Sequence, residues 1–267
     1  MIGFANKRIR SINTHQASFS GCCVGFSFSL MFSSMSIFVR MRNNHVRDEK
    51  RITVKIADSV LESFLQEVKL ESVSPEDPVV VYHLPKPWEL VGTGNYAGVF
   101  AHPDYPEVVL KLYAPGRPGI EQEKQVYEKL GESKYFPICY QTGDDFLVLK
   151  RIRGHSLFDC VRYGIPIPPQ AIEDVEAAMA EARAKGLHPH DVHGKNVMMY
   201  QGRGYLIDVS DYYKPQEDNK WRDLRKAYYR FYLPFMKERG WKVPLWVLDG
   251  IRKGYRLFRK WKRLFSS

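Results

Sequence analysis

Cysteine is scarce, at four in 267 residues, and the four form no framework. Cys22 and Cys23 are adjacent, which disfavours a bridge between them, and Cys139 and Cys160 belong to no CxxC pair or Cys/His cluster with zinc spacing. They read as free thiols of a reducing compartment. Internal repeats are absent, which argues against solenoid architectures. Charged side chains are absent from Ser11 to Val39, yet serine is abundant and leucine sparse there, so the apolar drive is weak for a spanning helix. Basic residues flank that stretch on both sides (Lys7, Arg8 and Arg10; Arg40, Arg42 and Arg47), giving no orientation signal. Residues 1–51 therefore carry two readings: a disordered or non-native leader, with translation beginning at Met35 or Met41, and a signal or anchor. A positive body is missing as well. The net charge is +10, but residues 1–51 hold eight Lys/Arg against two acids and residues 250–267 hold seven against none, so the stretch between them sums to −3. No nucleic-acid-binding core is expected, and the basic ends are the segments that would meet an anionic surface.

What is present is an ordinary globular composition, 44% hydrophobic and 26% charged, which excludes a disordered or fibrous chain over most of the length. Val60, Leu61, Phe64, Leu65 and Val68 recur at helical spacing and predict a helix over 57–70, followed by a Pro- and acid-rich loop around a strand at 79–82. Residues 52–87 are read as a helix and linker ahead of the main domain. Strands are predicted over 88–91, 98–101, 108–113, 136–140 and 146–150, interrupted by a helix over 120–130. That order implies an antiparallel sheet with one packed helix. From Pro168 the pattern turns helical, with 172–185 the clearest segment, and short strands follow at 197–200 and 205–207. The fold class is α+β, in two lobes with a cleft between them.

Five segments carry chemistry. Gly92-Thr93-Gly94-Asn95-Tyr96-Ala97-Gly98 lies between two predicted strands, where missing side chains let backbone N–H groups approach phosphates; alone it is equally a Gly-rich hairpin. Lys111 stands in the apolar run Val108–Leu112, where a buried ammonium needs a partner; alone it reads as an edge-strand lysine. Glu123 lies on the next helix, but Glu121 and Glu128 compete for the same role. Asp191-Val192-His193-Gly194-Lys195-Asn196 precedes a strand, and Asp208 follows another; together they offer hard oxygen ligands for Mg²⁺ beside a candidate base.

In this order the five segments resemble the protein-kinase superfamily, over roughly residues 88–232. The resemblance implies a two-lobed fold, with an N-lobe of 88–150 and a C-lobe of 151–249. It also implies ATP and Mg²⁺ as cofactors. Gly92, Gly94 and Gly98 would shape the hairpin over the phosphates, and Lys111 would hold the α- and β-phosphates while pairing with Glu123. Residues 146–154 look like the interlobe hinge, with Leu149 behind the adenine. Asp191 would deprotonate the acceptor hydroxyl, Asn196 and Asp208 would hold Mg²⁺, and His193 would face the γ-phosphate. Asp223 resembles the aspartate that braces the catalytic loop in short bacterial kinases of the lipopolysaccharide-kinase-like and RIO-like types.

Departures from the family pattern are specific. Ala97 stands in place of the third loop glycine, Pro189-His190 precede the catalytic aspartate, and Asp208 is followed by Val-Ser. His193 stands where protein kinases usually carry lysine, as in aminoglycoside and other small-molecule phosphotransferases. Only 59 residues follow Asp208, and none form an Ala-Pro-Glu sequence, so a long activation segment is not expected. The reading is a phosphotransferase to an acceptor hydroxyl, foremost a serine/threonine protein kinase. A small-molecule or lipid-sugar kinase and an ATP-binding pseudokinase are the alternatives. The acceptor, protein or small molecule, is not legible. In residues 250–267 an apolar stripe of Ile251, Tyr255, Phe258 and Phe265, with Leu257, Trp261 and Leu264, shares a helix with the seven basic residues. It reads either as an interfacial helix on anionic lipid or as a final helix packed on the C-lobe. The expected location is cytoplasmic, with membrane association through that tail.

Overall fold

The computed structural model describes residues 55–216, 218–237 and 239–264; the leader, with Cys22 and Cys23, lies outside them. Helix α1 (Asp58–Glu67) leads into a two-stranded hairpin of β1 (Lys69–Glu71) and β2 (Val80–His83). Five antiparallel strands follow: β3 (Glu89–Thr93), β4 (Ala97–Ala101), β5 (Val108–Tyr113), β6 (Cys139–Thr142) and β7 (Phe146–Lys150). Their spatial order is β3-β4-β5-β7-β6, and α2 (Ile120–Leu130) is inserted after β5. The remainder is mainly helical. β8 (His155–Ser156) runs into α3 (Leu157–Tyr163), and α4 (Pro169–Ala184) precedes the hairpin of β9 (Val197–Tyr200) and β10 (Arg203–Leu206). Helix α5 (Lys220–Ala227) continues through a π-helical stretch, Tyr228–Tyr232, into α6 (Leu233–Phe235), and α7 (Leu245–Leu264) ends the described chain. The architecture is α+β and two-lobed, as the element order predicts.

Two buried clusters form the core, one within the N-lobe and one joining it to the C-lobe. One gathers Phe100, Val108, Leu110, Leu112 and Val148 on one side of the five-stranded sheet. The other joins Leu147 and Leu149 with the buried face of α2 and the apolar faces of α4, β9 and β10. The first cluster also takes in Ile56, Leu61, Phe64, Leu70 and Val79, with the Phe64 ring 4.2 Å from Trp88 and 5.1 Å from Phe100. Residues 55–83 are thus part of the N-lobe core rather than a linker ahead of it. The helix there stops at Glu67, three residues short of the periodic pattern, because Lys69–Glu71 pair with β2.

Two short elements escape the sequence pattern. β8 and α3 occupy residues between the hinge at 146–154 and Pro168, where the sequence pattern marks no element. Ser156 caps α3, its hydroxyl oxygen accepting from the Asp159 N–H at 3.0 Å. Just before it, Gly154 passes so close to β9 that a Cβ there would lie 2.1 Å from the Met199 carbonyl oxygen.

Candidate active site

Position 111 sits mid-strand in β5, paired with Val99 of β4 on one side and Leu147 of β7 on the other. Its side chain is therefore in the sheet centre, only 8% exposed, where an unpaired ammonium would cost several kcal/mol. Helix α2 supplies the counter-charge. Its start is set by Gly119, whose φ of 112° suits glycine, and its buried residues Glu123, Val126, Tyr127 and Leu130 share one face. Glu123, not Glu121 or Glu128, is the acid on that face, and it is fully buried. Lys111 Nζ donates to Glu123 Oε1 at 2.8 Å and to Asp208 Oδ1 at 3.3 Å. The Tyr113 hydroxyl donates to the other Glu123 oxygen. Tyr113 is two residues from Lys111 and thus on the same face of β5, the one signal by which the sequence points to it.

Burial alone would lower the Lys111 ammonium, but the Asp208 and Glu123 carboxylates outweigh it and hold Lys111 above its usual range. Burial pushes Glu123 the other way, up from the ordinary carboxylate range, with Lys111 opposing the rise. The two directions belong to one coupled pair. With two donors on the Glu123 carboxylate, the charged pair is the form the geometry selects. Asp208 is less enclosed, at 39% side-chain exposure. Burial would raise it, but Lys111 and Ser210 hold it below the usual range, so it is ionised at neutral pH.

The segment from Asp191 to Asn196 is tied on three sides. The Phe158 N–H of α3 donates to Gly194 O at 2.9 Å, Asn196 N donates to His193 O at 2.9 Å, and Ile207 N donates to Asn196 O at 3.1 Å. The last bond sets Asn196 beside the strand end that carries Asp208. Asn196 Nδ2 donates to Asp191 O at 3.2 Å, which leaves its amide oxygen able to accept or to hold a cation. Asp191 has a φ of 56°, a left-handed conformation aspartate tolerates, and its N–H donates to Asp218 Oδ2 at 2.8 Å. The brace is therefore Asp218 rather than Asp223, whose carboxylate accepts instead from the Tyr255 hydroxyl at 2.9 Å. Asp218 also accepts from Lys220 N at 2.9 Å, so its acid reads in the sequence as a helix start rather than a brace.

Lys220 itself carried no signal in the sequence. Its ammonium donates to Asp191 Oδ1, placing a cation directly on the expected base. His193 Nδ1 accepts from Lys195 N at 3.3 Å, so its Nε2 carries the proton and points toward Asp191 Oδ1, 3.9 Å away. Burial, reinforced by Lys220 and opposed by Asp191, keeps His193 below the usual histidine range. It is a neutral donor at pH 7, not a cation.

The glycines divide. A Cβ at Gly92 would meet nothing within 4 Å, and one at Gly94 only Ala97 O at 3.9 Å, so both leave open space over the cleft. Gly98 is small for another reason: a Cβ there would lie 2.8 Å from the Phe100 ring. The intervening Tyr96 ring is flanked by Arg117 at 5.6 Å and Lys214 at 5.8 Å, which draws the hairpin tip toward the segment after Asp208. Leu149 is 4% exposed, at the end of β7 where the chain leaves for the second lobe. Among the described residues no group of three or more His, Cys, Asp or Glu forms a metal cage.

A lysine buried between a helix glutamate and a strand-end aspartate, facing a D-x-x-x-x-N loop across two lobes, defines a kinase-like phosphotransferase site. No family model matches the chain. It is 35% identical over 146 residues to a Bacillus subtilis (strain 168) protein described as "Putative serine/threonine-protein kinase YrzF", covering 54% of this chain and 68% of that relative. A solved kinase domain, that of Mycobacterium tuberculosis PknI in a cysteine-to-alanine mutant, is 18% identical with a TM-score of 0.37. The match covers 52% of this chain and 62% of that one, less than two thirds of its length. The chain belongs to the protein-kinase-like superfamily of ATP-dependent kinases.

Proposed function

We propose that this chain transfers the γ-phosphoryl group of Mg²⁺–ATP to the hydroxyl of a serine or threonine in a protein acceptor. The observation that carries the reading is the bridge of Lys111 to Glu123 and Asp208, at 2.8 and 3.3 Å, joining both lobes at one ammonium. Phosphoryl transfer needs little covalent help from a protein. It needs positioning, and positive charge where negative charge spreads. Lys111, fixed by Glu123, supplies that charge on the nucleotide side. Asp208 and the Asn196 amide oxygen are the residues that would hold Mg²⁺, which when bound neutralises charge on the phosphate oxygens. Asp191 takes the proton of the acceptor hydroxyl, positioned by Asp218 through its own N–H. The His193 Nε2–H and the Lys220 ammonium face the same carboxylate and supply the donors on the acceptor side.

The protein acceptor is favoured by the likeness to the Bacillus relative, described as a serine/threonine-protein kinase. A small-molecule acceptor is favoured by His193, which stands where protein kinases usually carry lysine. The test is Mg²⁺-dependent ATP turnover by the full chain with generic protein, sugar and aminoglycoside acceptors. Stimulation by protein with phosphoserine or phosphothreonine formed supports the reading. Stimulation only by a small molecule moves it to that class, and nucleotide binding with no turnover makes the chain a pseudokinase.

A further inference from the structure

Helix α7 leaves large apolar side chains in water. Val247, Leu248 and Tyr255 are half-buried, and the Tyr255 hydroxyl donates to Asp223, while Trp246 is 77%, Ile251 64% and Leu257 68% exposed. At about 100° per residue, these three lie with Gly250 and Gly254 on one arc of roughly 140°. The charged residues Asp249, Arg252 and Lys253 lie off that arc. Trp246, Ile251 and Leu257 thus face water rather than covering the second lobe. Exposed aromatics also precede the helix, with Phe235 and Trp241 both 55% exposed.

The occupant follows from charge. Residues 250–267 hold seven Lys/Arg and no acid. A second copy of the chain would bring like charges together, and a protein interface core is depleted in charge. Nucleic acid would use the cations but leave tryptophan and isoleucine in water. Only a surface offering anions above and hydrocarbon below satisfies both features of the helix. Among the described residues no helix is long and apolar enough to cross a membrane, so the mode is to lie in the plane. We propose that α7 is an interfacial helix that seats Trp246, Ile251 and Leu257 in a bilayer whose headgroups are anionic. This stands independently of the kinase reading.

The test is flotation of the full chain with phosphatidylcholine vesicles, with and without phosphatidylglycerol. The chain should float with the anionic vesicles only and be released as salt rises. Arg252→Glu with Lys253→Glu should weaken partitioning at least about 25-fold, each basic residue near the surface contributing about fivefold. Trp246→Ser, Ile251→Ser and Leu257→Ser together should weaken it more than about 100-fold. All five side chains are exposed, so both variants should melt like the parent. Equal retention on neutral vesicles, no flotation at all, or unchanged flotation of the apolar variant would overturn the proposal. So would vesicle-free self-association that the apolar variant abolishes, since the face would then be a contact between copies.

Discussion

Replacing Lys111 by Met removes the one ammonium shared by two carboxylates, and its cost is set by the more buried of them. Asp208, 39% exposed, can turn to water and contributes little to stability once released. Glu123, fully buried, cannot. Leaving a charge unpaired in such a place costs about 3–5 kcal/mol. The carboxyl has an escape, which is to take up a proton, and burial already pushes it that way. In the variant the folded state then keeps a proton that the unfolded chain gives up above its ordinary value of 4.5. A folded pKa raised above the unfolded one makes stability fall as pH rises between them. At about 1.4 kcal/mol per pH unit, the penalty is up to ~0.7 kcal/mol at pH 5 and up to ~3.4 kcal/mol at pH 7. Urea unfolding followed by tryptophan fluorescence at both pH values reads the difference between parent and variant. Adding Glu123→Gln should recover most of the loss at pH 7, because the amide oxygen still accepts from Tyr113, yet should not recover nucleotide binding. A gap below about 1 kcal/mol at pH 7, or one that does not change with pH, would refute the picture of a buried glutamate held by one lysine.

Three further expectations rest on separate contacts. Asp218→Ala should leave ATP affinity within about twofold and lower turnover at least tenfold, since a misplaced base costs rate rather than nucleotide binding; recovery by Asp218→Asn, whose amide oxygen still accepts, distinguishes positioning from collapse. Gly154→Ala should lower the melting temperature by roughly 3–10 °C, the equivalent of about 1–3 kcal/mol of crowding against Met199 O; an unchanged melt would contradict that close approach. Burial pushes the Cys139 and Cys160 thiols up to about 11, so at pH 7.5 only about three in ten thousand are thiolate. N-ethylmaleimide labelling mapped by mass spectrometry should therefore be slow at both, and rapid native labelling of Cys160 would contradict its burial.

The fold was legible wherever a periodic pattern ran long enough to name its element. β5, β7, β9 and α2 lie at the residues their patterns mark, because alternation and helical spacing there report real buried faces. Two-residue β8 and seven-residue α3 are too short for a period to show, although Ser156 and Asp159 form a capping pair three residues apart. Glu121, Glu123 and Glu128 are equivalent acids in sequence, and only the folded chain, which sets Glu123 on Lys111 and Tyr113 of β5, singles it out. Asp223 stands out in sequence by its resemblance to a helix aspartate of short kinases, and Asp218 carries no such mark. A brace, though, needs a carboxylate within reach of one N–H, and reach is a tertiary fact. Lys220 follows the same logic, since nothing in its neighbours distinguishes it from the chain's many other surface cations. The tail's two readings stay open in sequence, because a stripe looks alike whether it faces a core or water; the exposure of Trp246, Ile251 and Leu257 supports the interfacial one.

The central claim is that Asp208 works on the nucleotide and Asp191 on the acceptor. The direct measurement is ATP affinity by titration calorimetry, paired with Mg²⁺-dependent turnover of a working acceptor, on the full chain, Asp208→Asn and Asp191→Asn. Asp208→Asn should weaken Mg²⁺–ATP binding and turnover together. Asp191→Asn should bind nucleotide nearly as the parent does and turn over about 10²- to 10⁴-fold more slowly, the usual contribution of a positioned acid–base group. Normal turnover by Asp191→Asn, or an affinity loss equal in both variants, would contradict the account.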